Sequence, residues 1–454
     1  MKSVTFGCAL AAAIVALTLA TPASAQVSTF DLSGTALDQS NAVLPGATVS
    51  LKNTKTGLAR TEVTDDRGRY HFIALPVVGE YSVKIELAGF GAEERGGLVF
   101  QANTKPVIDF TLKVAALAEA TTVLGAAPIL ETRKAELSLT VDQKKIETMP
   151  LNGRNYLDLA TFANGVHGAA TRGDLSVNGQ LGRNIDYVVD GVSNKVIEWG
   201  DASKTGLSLD VVQEFQVITS QFSAEFGHSL GGIVSAVTKS GTNEFHGTGY
   251  IYDRPGALDA KNGLTGTRTP FNQQQFGTVL SGPIVKDRTH FIGSFEGTNQ
   301  DSEVVVTSVL KSGAFPATLN RNQGFAKVTH RLADNHNAQL RFNLDDNQSI
   351  PSANSAGGLV LPDGGTKSKR ASWELQGTTT SVLSSTTVNE ARFQYSRFVN
   401  ESTNLAPGPR VIYTGVGTYG AAVARRGADI RAMETLWPKR SPRPNPRSSS
   451  NRRC

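Results

Sequence analysis

The 454-residue sequence is poor in cysteine, with only Cys8 and Cys454. Cys8 lies in an N-terminal segment that is predicted to be removed on export, which leaves one thiol. A single thiol cannot form an internal disulfide, although an exported chain reaches a compartment where disulfides form. The fold is therefore expected to depend on packing and hydrogen bonds.

Long hydrophobic runs are also missing. After the N-terminal segment no stretch reaches the roughly 18 apolar residues that suggest a transmembrane helix, so ordinary membrane-spanning helices are excluded. The N-terminal segment has Lys2, an apolar run over residues 9–20 and Ala-Ser-Ala at 23–25. This is the pattern of a signal peptide cleaved before Gln26. The alternative, a membrane anchor, is disfavoured because the run is too short to span a bilayer.

Most of the chain lacks an excess of basic residues. The formal net charge is +5, but residues 425–454 contain nine Lys or Arg and only two Asp or Glu. The rest carries 36 basic and 38 acidic side chains and is close to neutral. Nucleic-acid-binding domains present a basic surface, so no nucleic-acid partner is expected.

Motifs for metal, nucleotide or catalytic chemistry are lacking as well. The seven histidines are scattered, and no zinc spacing, P-loop or dinucleotide fingerprint is present. Residues 227–231 spell G-x-S-x-G, the nucleophile elbow of α/β-hydrolases, which needs a helix after the serine. The residues after Ser229 favour a strand instead. We therefore expect no enzyme, no cofactor and no metal, and a secreted hydrolase is the weakest alternative.

The sequence does contain 45 glycines and many short β-type runs. Residues 215–218 and 233–237 have the β-branched and aromatic content of strands, and residues 238–243 form a polar turn cluster. A hydrophobic content of 39% is low for a globular enzyme of this size but typical of a transmembrane β-barrel. We interpret residues 211–247 as the junction between a globular unit and a barrel.

Residues 26–113 predict a small β-sandwich, because short strands alternate with turn residues. The predicted strands are residues 29–37, 48–53, 59–64, 70–74, 79–87 and 104–112. The sequence at residues 44–49, 64–70, 75–81 and 88–90 resembles the carboxypeptidase regulatory-like domain, which implies a non-catalytic binding or spacer module. Asp65 and Asp66 are candidate cation ligands, but a solvated turn is favoured.

Beyond residue 241 apolar and polar residues alternate over long runs. On residues 338–344 the apolar side chains share one face and Gln339, Arg341 and Asn343 the other; residues 371–376 and 391–396 repeat this. The pattern is typical of barrel strands between lipid and lumen, and a soluble sandwich with one buried face is the alternative. Residues 238–247 and 276–291 resemble the barrel start of Oar-like TonB-dependent transporters.

Residues 129–243 resemble the plug of the same transporters. The resemblance is carried by residues 146–156, a predicted short helix that runs into a turn, and by residues 177–192, 212–215 and 224–227. Within residues 177–192 the buried strand Tyr187-Val188-Val189 ends in an Asp190-Gly191 turn. The Oar-like branch also carries an N-terminal regulatory-like domain, so the domain order supports the resemblance.

The connector, residues 114–128, contains a segment that resembles the TonB box of these transporters and implies the TonB complex as a periplasmic partner. Its residues are Glu119, Ala120, Thr121, Thr122, Val123 and Leu124. Such a segment adds an extended strand to its partner's sheet edge, so backbone pairing matters more than side chains. A plain linker strand is an equal alternative.

The predicted fold class is mainly β: an N-terminal β-sandwich, an α+β plug and an incomplete transmembrane antiparallel β-barrel over residues 244–424. About eight strand candidates of roughly ten residues lie between residues 244 and 399. Eight strands cannot enclose a plug, because a barrel that holds a plug needs roughly 22 strands.

Residues 425–454 are basic and are predicted to be disordered. We expect a truncated chain; a frameshift near Ala424 and a natural basic interaction tail are the two hypotheses.

The resemblance implies import of an unidentified solute across a bacterial outer membrane. Outer-membrane lipid, the TonB complex and the solute would be the partners, and no residue would be catalytic. The alternative is an outer-membrane surface-binding or adhesion protein that transports nothing. Residues 119–124 distinguish the two, because only transport requires them.

Overall fold

The computed structural model describes residues 28–114, 121–124, 137–149, 151, 153–168, 175–196, 206–222, 226–227, 229–261, 268, 270–352, 355–421 and 428–436. The predicted signal peptide, Glu119, Ala120 and everything beyond residue 436 lie outside this part of the chain. Three β-rich units follow one another. We call them the N-terminal domain (residues 28–124), the central domain (137–240) and the eight-stranded sheet (246–436).

The N-terminal domain is a two-sheet sandwich, as its alternating sequence predicts. Its strands are β1 (Thr29–Asp38), β2 (Thr48–Asn53), β3 (Ala59–Val63), β4 (Arg69–Pro76), β5 (Tyr81–Glu86), β6 (Glu93–Leu98), β7 (Phe110–Leu112) and β8 (Thr121–Leu124). One sheet has the order β4-β1-β7 and the other β3-β2-β5-β6-β8. The core lies between them, where Phe30 and Phe72 of the first sheet meet Tyr81 and Val83 of the second.

Three details of this domain refine the sequence prediction. β6 is not predicted, because its sequence Glu-Glu-Arg-Gly-Gly-Leu has two glycines and no β-branched residue. Of the strand predicted at residues 104–112, only Phe110–Leu112 forms a strand, which is β7. Asp65 accepts hydrogen bonds from the backbone of Arg67 and Arg69, at 2.9 Å each, and pairs with the Arg69 side chain. These bonds form the turn that is favoured over a cation site.

The central domain combines short helices with a mixed sheet. Its elements are β9 (Leu137–Asp142), α1 (Gln143–Thr148), a 3-10 helix (Tyr156–Phe162), β10 (Val166–His167), β11 (Ser176–Val177), a 3-10 helix (Gly182–Asn184), β12 (Ile185–Val189), β13 (Val192–Ser193), a 3-10 helix (Leu209–Val211), β14 (Val212–Ser220) and β15 (Gly232–Thr238). The main sheet has the order β13-β12-β15-β14-β9, and β10 pairs with β11. The strands predicted at residues 215–218 and 233–237 are the antiparallel neighbours β14 and β15.

The helix predicted from residue 146 begins earlier, at Gln143. Asp142 explains the difference, because its side chain accepts a hydrogen bond from the Lys145 backbone N–H at 2.9 Å and so caps the helix. Ile146 is buried in the domain core with Tyr156 of the following 3-10 helix.

The third unit is an antiparallel sheet with the order β16-β17-β18-β19-β20-β21-β22-β25. Its elements are β16 (His246–Pro255), a 3-10 helix (Gly256–Leu258), β17 (Phe271–Val285), β18 (Thr289–Ser308), β19 (Lys311–Ala333), β20 (His336–Ile350), a 3-10 helix (Pro362–Gly364), β21 (Thr366–Ser384), β22 (Thr387–Asn404) and β25 (Ala428–Leu436). A small hairpin of β23 (Val411–Tyr413) and β24 (Gly417–Tyr419) lies beside it. Strands β17 to β22 have 15 to 23 residues, more than the ten predicted.

Strand β25 lies in the segment that composition predicts to be disordered from residue 425. It pairs with β22 from Asn400↔Ala428 to Arg392↔Leu436. The prediction of disorder therefore does not hold for these nine residues. Nowhere in the described part of the chain does a helix have the length and apolar character that a membrane crossing requires.

The two faces of the eight-stranded sheet differ in polarity. On β20, Arg341 and Asn343 are buried, whereas Leu340, Phe342 and Leu344 are exposed. β21 and β22 repeat the pattern with four further buried polar residues, which are Glu374, Gln376, Arg392 and Gln394. The predicted alternation is confirmed: polar groups face the central domain and apolar groups face outward, as in a wall that meets lipid.

The N-terminal domain docks on the eight-stranded sheet through the loop between β2 and β3. Arg331 Nη1 donates a hydrogen bond to the Gly57 carbonyl, and the Asn243 backbone N–H donates to the Lys55 carbonyl, both at 2.9 Å. Gly57 has a φ of +70°, and a Cβ at this position would lie 2.0 Å from Asp287 Oδ1. Glycine suits this position because of the positive φ and because any other residue would require the Asp287 side chain to move.

The same domain also contacts the central domain. The Glu214 carboxylate on β14 accepts a hydrogen bond from the Ala102 backbone N–H at 3.0 Å. Val237 of β15 packs into the core of the N-terminal domain. The N-terminal domain is thus attached to both of the units that follow it.

Candidate functional site

A buried polar cluster joins the central domain to the eight-stranded sheet. Its centre is Asp190, in the two-residue turn of the β12–β13 hairpin. Asp190 and Gly191 have φ angles of +47° and +77°, and positive φ at both positions defines the type I′ turn that Asp-Gly sequences favour. The turn predicted at these residues is confirmed, and it places a carboxylate at the tip of the hairpin.

Two cations of the sheet meet the Asp190 carboxylate. Arg341 Nη1 on β20 lies 3.1 Å from Asp190 Oδ2, and Lys327 Nζ on β19 lies 3.6 Å from it. Thr238 at the end of β15 donates its backbone N–H at 2.8 Å and its hydroxyl at 2.6 Å. All four residues are buried, so these charges interact more strongly than an exposed pair would.

The cluster fixes the charge of Asp190. Burial alone would raise the pKa of this carboxyl, but Lys327, Arg341 and the hydrogen bonds from Thr238 outweigh burial and hold the pKa below its ordinary value. Because the folded pKa is lowered, the stability that Asp190 contributes is present above the ordinary Asp pKa. That stability is lost as the pH falls through the lowered value.

A second set of polar groups holds the same hairpin. Arg392 Nη1 on β22 donates to the Gly191 carbonyl at 2.7 Å, and Gln376 Nε2 on β21 donates to the Asp190 carbonyl at 3.1 Å. Glu374, also on β21, pairs with the arginine of β20. Side chains from the four adjacent strands β19 to β22 therefore contribute to one hairpin tip.

Arg154 forms a second attachment, at the β16 edge of the sheet. Its guanidinium pairs with Asp210 at 2.7 Å and lies 4.8 Å from the ring centres of both Tyr250 and Tyr252 on β16. Its Nη1 also donates to the Tyr252 hydroxyl at 3.2 Å. One residue of the central domain thus combines an ion pair, a hydrogen bond and two cation–π contacts.

Glu296 and Asp345 provide a third attachment. Glu296 Oε2 on β18 accepts hydrogen bonds from the Ser208 hydroxyl at 2.9 Å and from the Tyr250 hydroxyl at 2.5 Å. Asp345 Oδ2 on β20 accepts from the Gly206 backbone N–H at 2.9 Å. At all three attachments, polar groups of the sheet meet polar groups of the central domain.

The three attachments hold the central domain against the eight-stranded sheet. Their acids and bases are paired with each other, and within the described residues no group of three His, Cys, Asp or Glu is placed to hold a metal. Ser229 of the G-x-S-x-G motif is followed by β15 rather than by a helix, and its hydroxyl bonds the Gly232 carbonyl at 2.5 Å. The elbow geometry of a hydrolase is therefore missing here.

The segment predicted to bind TonB is resolved in part. Thr121–Leu124 form β8, which pairs in parallel with β6 of the N-terminal domain; Glu119 and Ala120 lie outside the described residues. An extended strand is the conformation that strand addition requires. Its role as a TonB box stays a prediction.

Sequence reasoning identifies part of the Asp190 cluster. Period-two alternation places Arg341, Glu374 and Arg392 on the inward face of their strands, but it does not reveal what they meet there. The sequence around Lys327 does not indicate its role, because its partner Asp190 lies 137 positions earlier. Contacts of this sequence separation leave no local pattern.

Comparison with known families agrees with this architecture. Residues 31–113 match the family model described as carboxypeptidase regulatory-like domain, and residues 237–315 and 310–433 match outer membrane beta barrel domain. The chain therefore carries an outer-membrane β-barrel domain behind a regulatory-like domain. It is a homologue of the TonB-dependent transporter Oar of Myxococcus xanthus, with 32% identity over 269 residues, which confirms the resemblance. The match covers 55% of this chain and 25% of the relative, so the chain spans about a quarter of that relative's length.

Solved structures of outer-membrane proteins are also similar. The outer membrane transporter YddB of Escherichia coli matches with a TM-score of 0.49 and 14% identity, over 63% of this chain and 43% of that one. The siderophore receptor PirA of Acinetobacter baumannii matches with a TM-score of 0.46 and 18% identity, over 67% and 44%.

Proposed function

We propose that this chain acts as an outer-membrane TonB-dependent transporter or receptor that imports a solute, with the central domain as its plug. The exported chain would lose residues 1–25, and the apolar face of the eight-stranded sheet would meet lipid. The observation that carries the proposal is the attachment of a globular unit to the polar face of a barrel domain by buried ion pairs and hydrogen bonds.

A polar attachment suits a unit that must move. When two apolar surfaces separate, the free energy of hydrophobic burial is lost. When polar groups such as Asp190 and Arg341 separate, each of them forms hydrogen bonds with water instead. These new hydrogen bonds restore much of the free energy that the lost contact provided. The central domain would then leave the sheet at a lower cost than an apolar core of equal area.

The position of β9 suits a pulling mechanism. The TonB complex would take hold of residues 119–124, and β9 is the first strand of the central domain that follows them. β9 lies at the edge of its sheet and pairs only with β14 among the described strands. Tension from the N-terminal side would therefore reach an edge strand first, and an edge strand separates without breaking the pairs of the strands behind it.

The proposal is tested by the binding of a purified TonB C-terminal domain to the full chain in detergent micelles, where the periplasmic side is accessible. Neighbouring N–H groups of a strand point to opposite sides, so Thr122→Pro and Val123→Pro together remove a donor from each side. We expect at least one of them to weaken binding more than about tenfold, because strand addition depends on backbone pairing. Thr122→Val, which keeps the N–H group, serves as the matched control and should bind within about twofold of the wild type.

Two outcomes would contradict the proposal in different ways. If the unmodified chain does not bind the TonB domain, the assignment to TonB-dependent transport fails. If the chain binds but both proline variants bind equally well, residues 119–124 are a linker and the TonB contact lies elsewhere.

A further inference from the structure

The strand β8 forms one edge of the N-terminal domain. The five-stranded sheet has the order β3-β2-β5-β6-β8, and β8 pairs with β6 from Glu93↔Thr121 to Gly96↔Leu124. These are the last four residues of the segment proposed to bind TonB. The regulatory-like domain thus holds these four residues as a strand of its own sheet.

The acceptor strand β6 is itself firmly placed. Arg95 on β6 pairs with Glu93 at 3.0 Å, and its guanidinium lies 4.6 Å from the ring centre of Phe110 on β7. Leu98 at the end of β6 is buried in the domain core. β8 therefore lies on an edge that the domain core keeps in position.

A strand has two edges, and the structure assigns a partner to only one edge of β8. The backbone groups that face β6 are paired, whereas within the described residues no strand pairs with the other side. An unpaired sheet edge is a template for a further strand. Proteins that bind by strand addition dock on edges of this kind.

We propose that the regulatory-like domain presents β8 to TonB, so that one continuous sheet runs from β6 through β8 into a strand of the TonB C-terminal domain. This inference rests on the proposed function, because it takes TonB as the partner. Binding would require no bond between β6 and β8 to break. Because β8 is already ordered before TonB binds, binding would not lose the conformational entropy of this segment, which favours binding.

The opposite arrangement is competition, in which TonB must first remove β8 from β6. A disulfide between the two strands distinguishes these arrangements. Glu94 and Thr122 are register partners in the parallel pairing of β6 and β8, and neighbouring strands lie about 4.8 Å apart, which is within the Cα separation that a disulfide can bridge. We would combine Glu94→Cys with Thr122→Cys in a full chain that also carries Cys8→Ser and Cys454→Ser.

The matched control combines Glu94→Cys with Val123→Cys on the same background. A shift of one residue turns the second thiol to the opposite face of the sheet. We expect the register pair to oxidise at least about tenfold faster than the control pair. Equal rates would show that β8 does not occupy the β6 edge, and the inference would be wrong.

The second measurement is the affinity of the TonB C-terminal domain for the oxidised and the reduced register pair in detergent micelles. If the domain presents β8 to TonB, the oxidised form should bind the TonB domain within about threefold of the reduced form, or more tightly. The reason is that the edge of β8 that faces away from β6 stays free. A loss of more than about tenfold on oxidation, reversed by reduction, would show competition and overturn the inference. If neither form nor the wild type binds, the proposed TonB partner fails, whereas the oxidation rates still report whether β8 pairs with β6.

Discussion

The N-terminal domain and the eight-stranded sheet use the same period-two pattern with opposite outcomes. On β5, Tyr81, Val83 and Ile85 are 0% exposed. On β20, Leu340 is 54% exposed, whereas Arg341 is only 2% exposed. In the first unit alternation separates a core from water, and in the second it separates an exposed apolar face from a buried polar interface.

This contrast shows what alternation does and does not determine. A repeat of two fixes which residues share a face of a strand. It does not state which face is buried, since that depends on what lies against each face. In this chain the central domain is polar where it meets the sheet, and so the polar face of the sheet becomes the buried one.

The largest effect should come from placing a charge in the apolar core of the N-terminal domain. We expect Val83→Arg to destabilise that domain by more than about 4 kcal/mol, because a buried charge without a partner is severely unfavourable. Ser82→Arg, on the opposite face of the same strand, should change stability by less than about 0.5 kcal/mol. Urea unfolding followed by tyrosine fluorescence measures both, and similar losses would contradict the assignment of faces on β5.

The reverse substitution on the sheet should be almost as harmful. We expect Arg341→Leu to weaken the attachment of the central domain by about 3–5 kcal/mol, because it leaves Asp190 and Glu374 buried without this partner. Limited proteolysis of the central domain in detergent micelles reports the attachment. Lys369→Leu, at an exposed position of the next strand, is the control and should leave the cleavage rate unchanged. An unaltered rate in Arg341→Leu would show that the Asp190 cluster does not hold the two units together.

A charge on the outward face sharpens the comparison further. Leu340→Arg should cost about 2–4 kcal/mol in a bilayer, the range for a basic residue that faces lipid near the midplane. In a soluble sandwich the same exposed position would tolerate arginine with almost no loss. Unfolding in phospholipid vesicles measures the difference, and a neutral result would exclude lipid contact at this position.

The smallest expected effect concerns Arg154. Lysine keeps the charge but cannot reproduce the planar guanidinium that lies against two tyrosine rings and pairs with Asp210. Arg154→Lys should therefore loosen the attachment at β16 by about 1 kcal/mol, and the proteolysis assay should show a modest increase in cleavage. Glu296→Gln tests the neighbouring attachment, in which Glu296 accepts from Ser208 and from Tyr250, the second of which also contacts Arg154.

The sequence predicts the local features of this molecule well. Residues 48–53 form β2 with the predicted limits, and Asp190-Gly191 forms the predicted turn, because both depend on neighbouring residues. β6 escapes prediction because tertiary pairing with β5 and β8 stabilises a sequence of low strand propensity. β25 escapes because it lies in a segment, residues 425–454, whose overall basic composition resembles that of disordered segments, although β25 can pair with β22.

The candidate site is less accessible to such reasoning. The alternating pattern gives the direction of Arg341, yet its partner Asp190 lies 151 positions away. The meeting of these two residues depends on how the central domain sits against the sheet. Physical rules for strands and turns describe each unit, and the contacts between units require the assembled fold.

The close approach of Gly57 to Asp287 links two parts of the chain that are 230 positions apart. A methyl group at residue 57 would displace the Asp287 side chain, and a longer turn between β17 and β18 would disturb the same contact between the N-terminal domain and the sheet. Homologues that keep this contact should therefore vary at residue 57 and at the β17–β18 turn together. A bulkier residue in the β2–β3 loop should accompany a shorter or differently shaped β17–β18 turn. The spacing of one hairpin thus restricts the evolution of a separate domain.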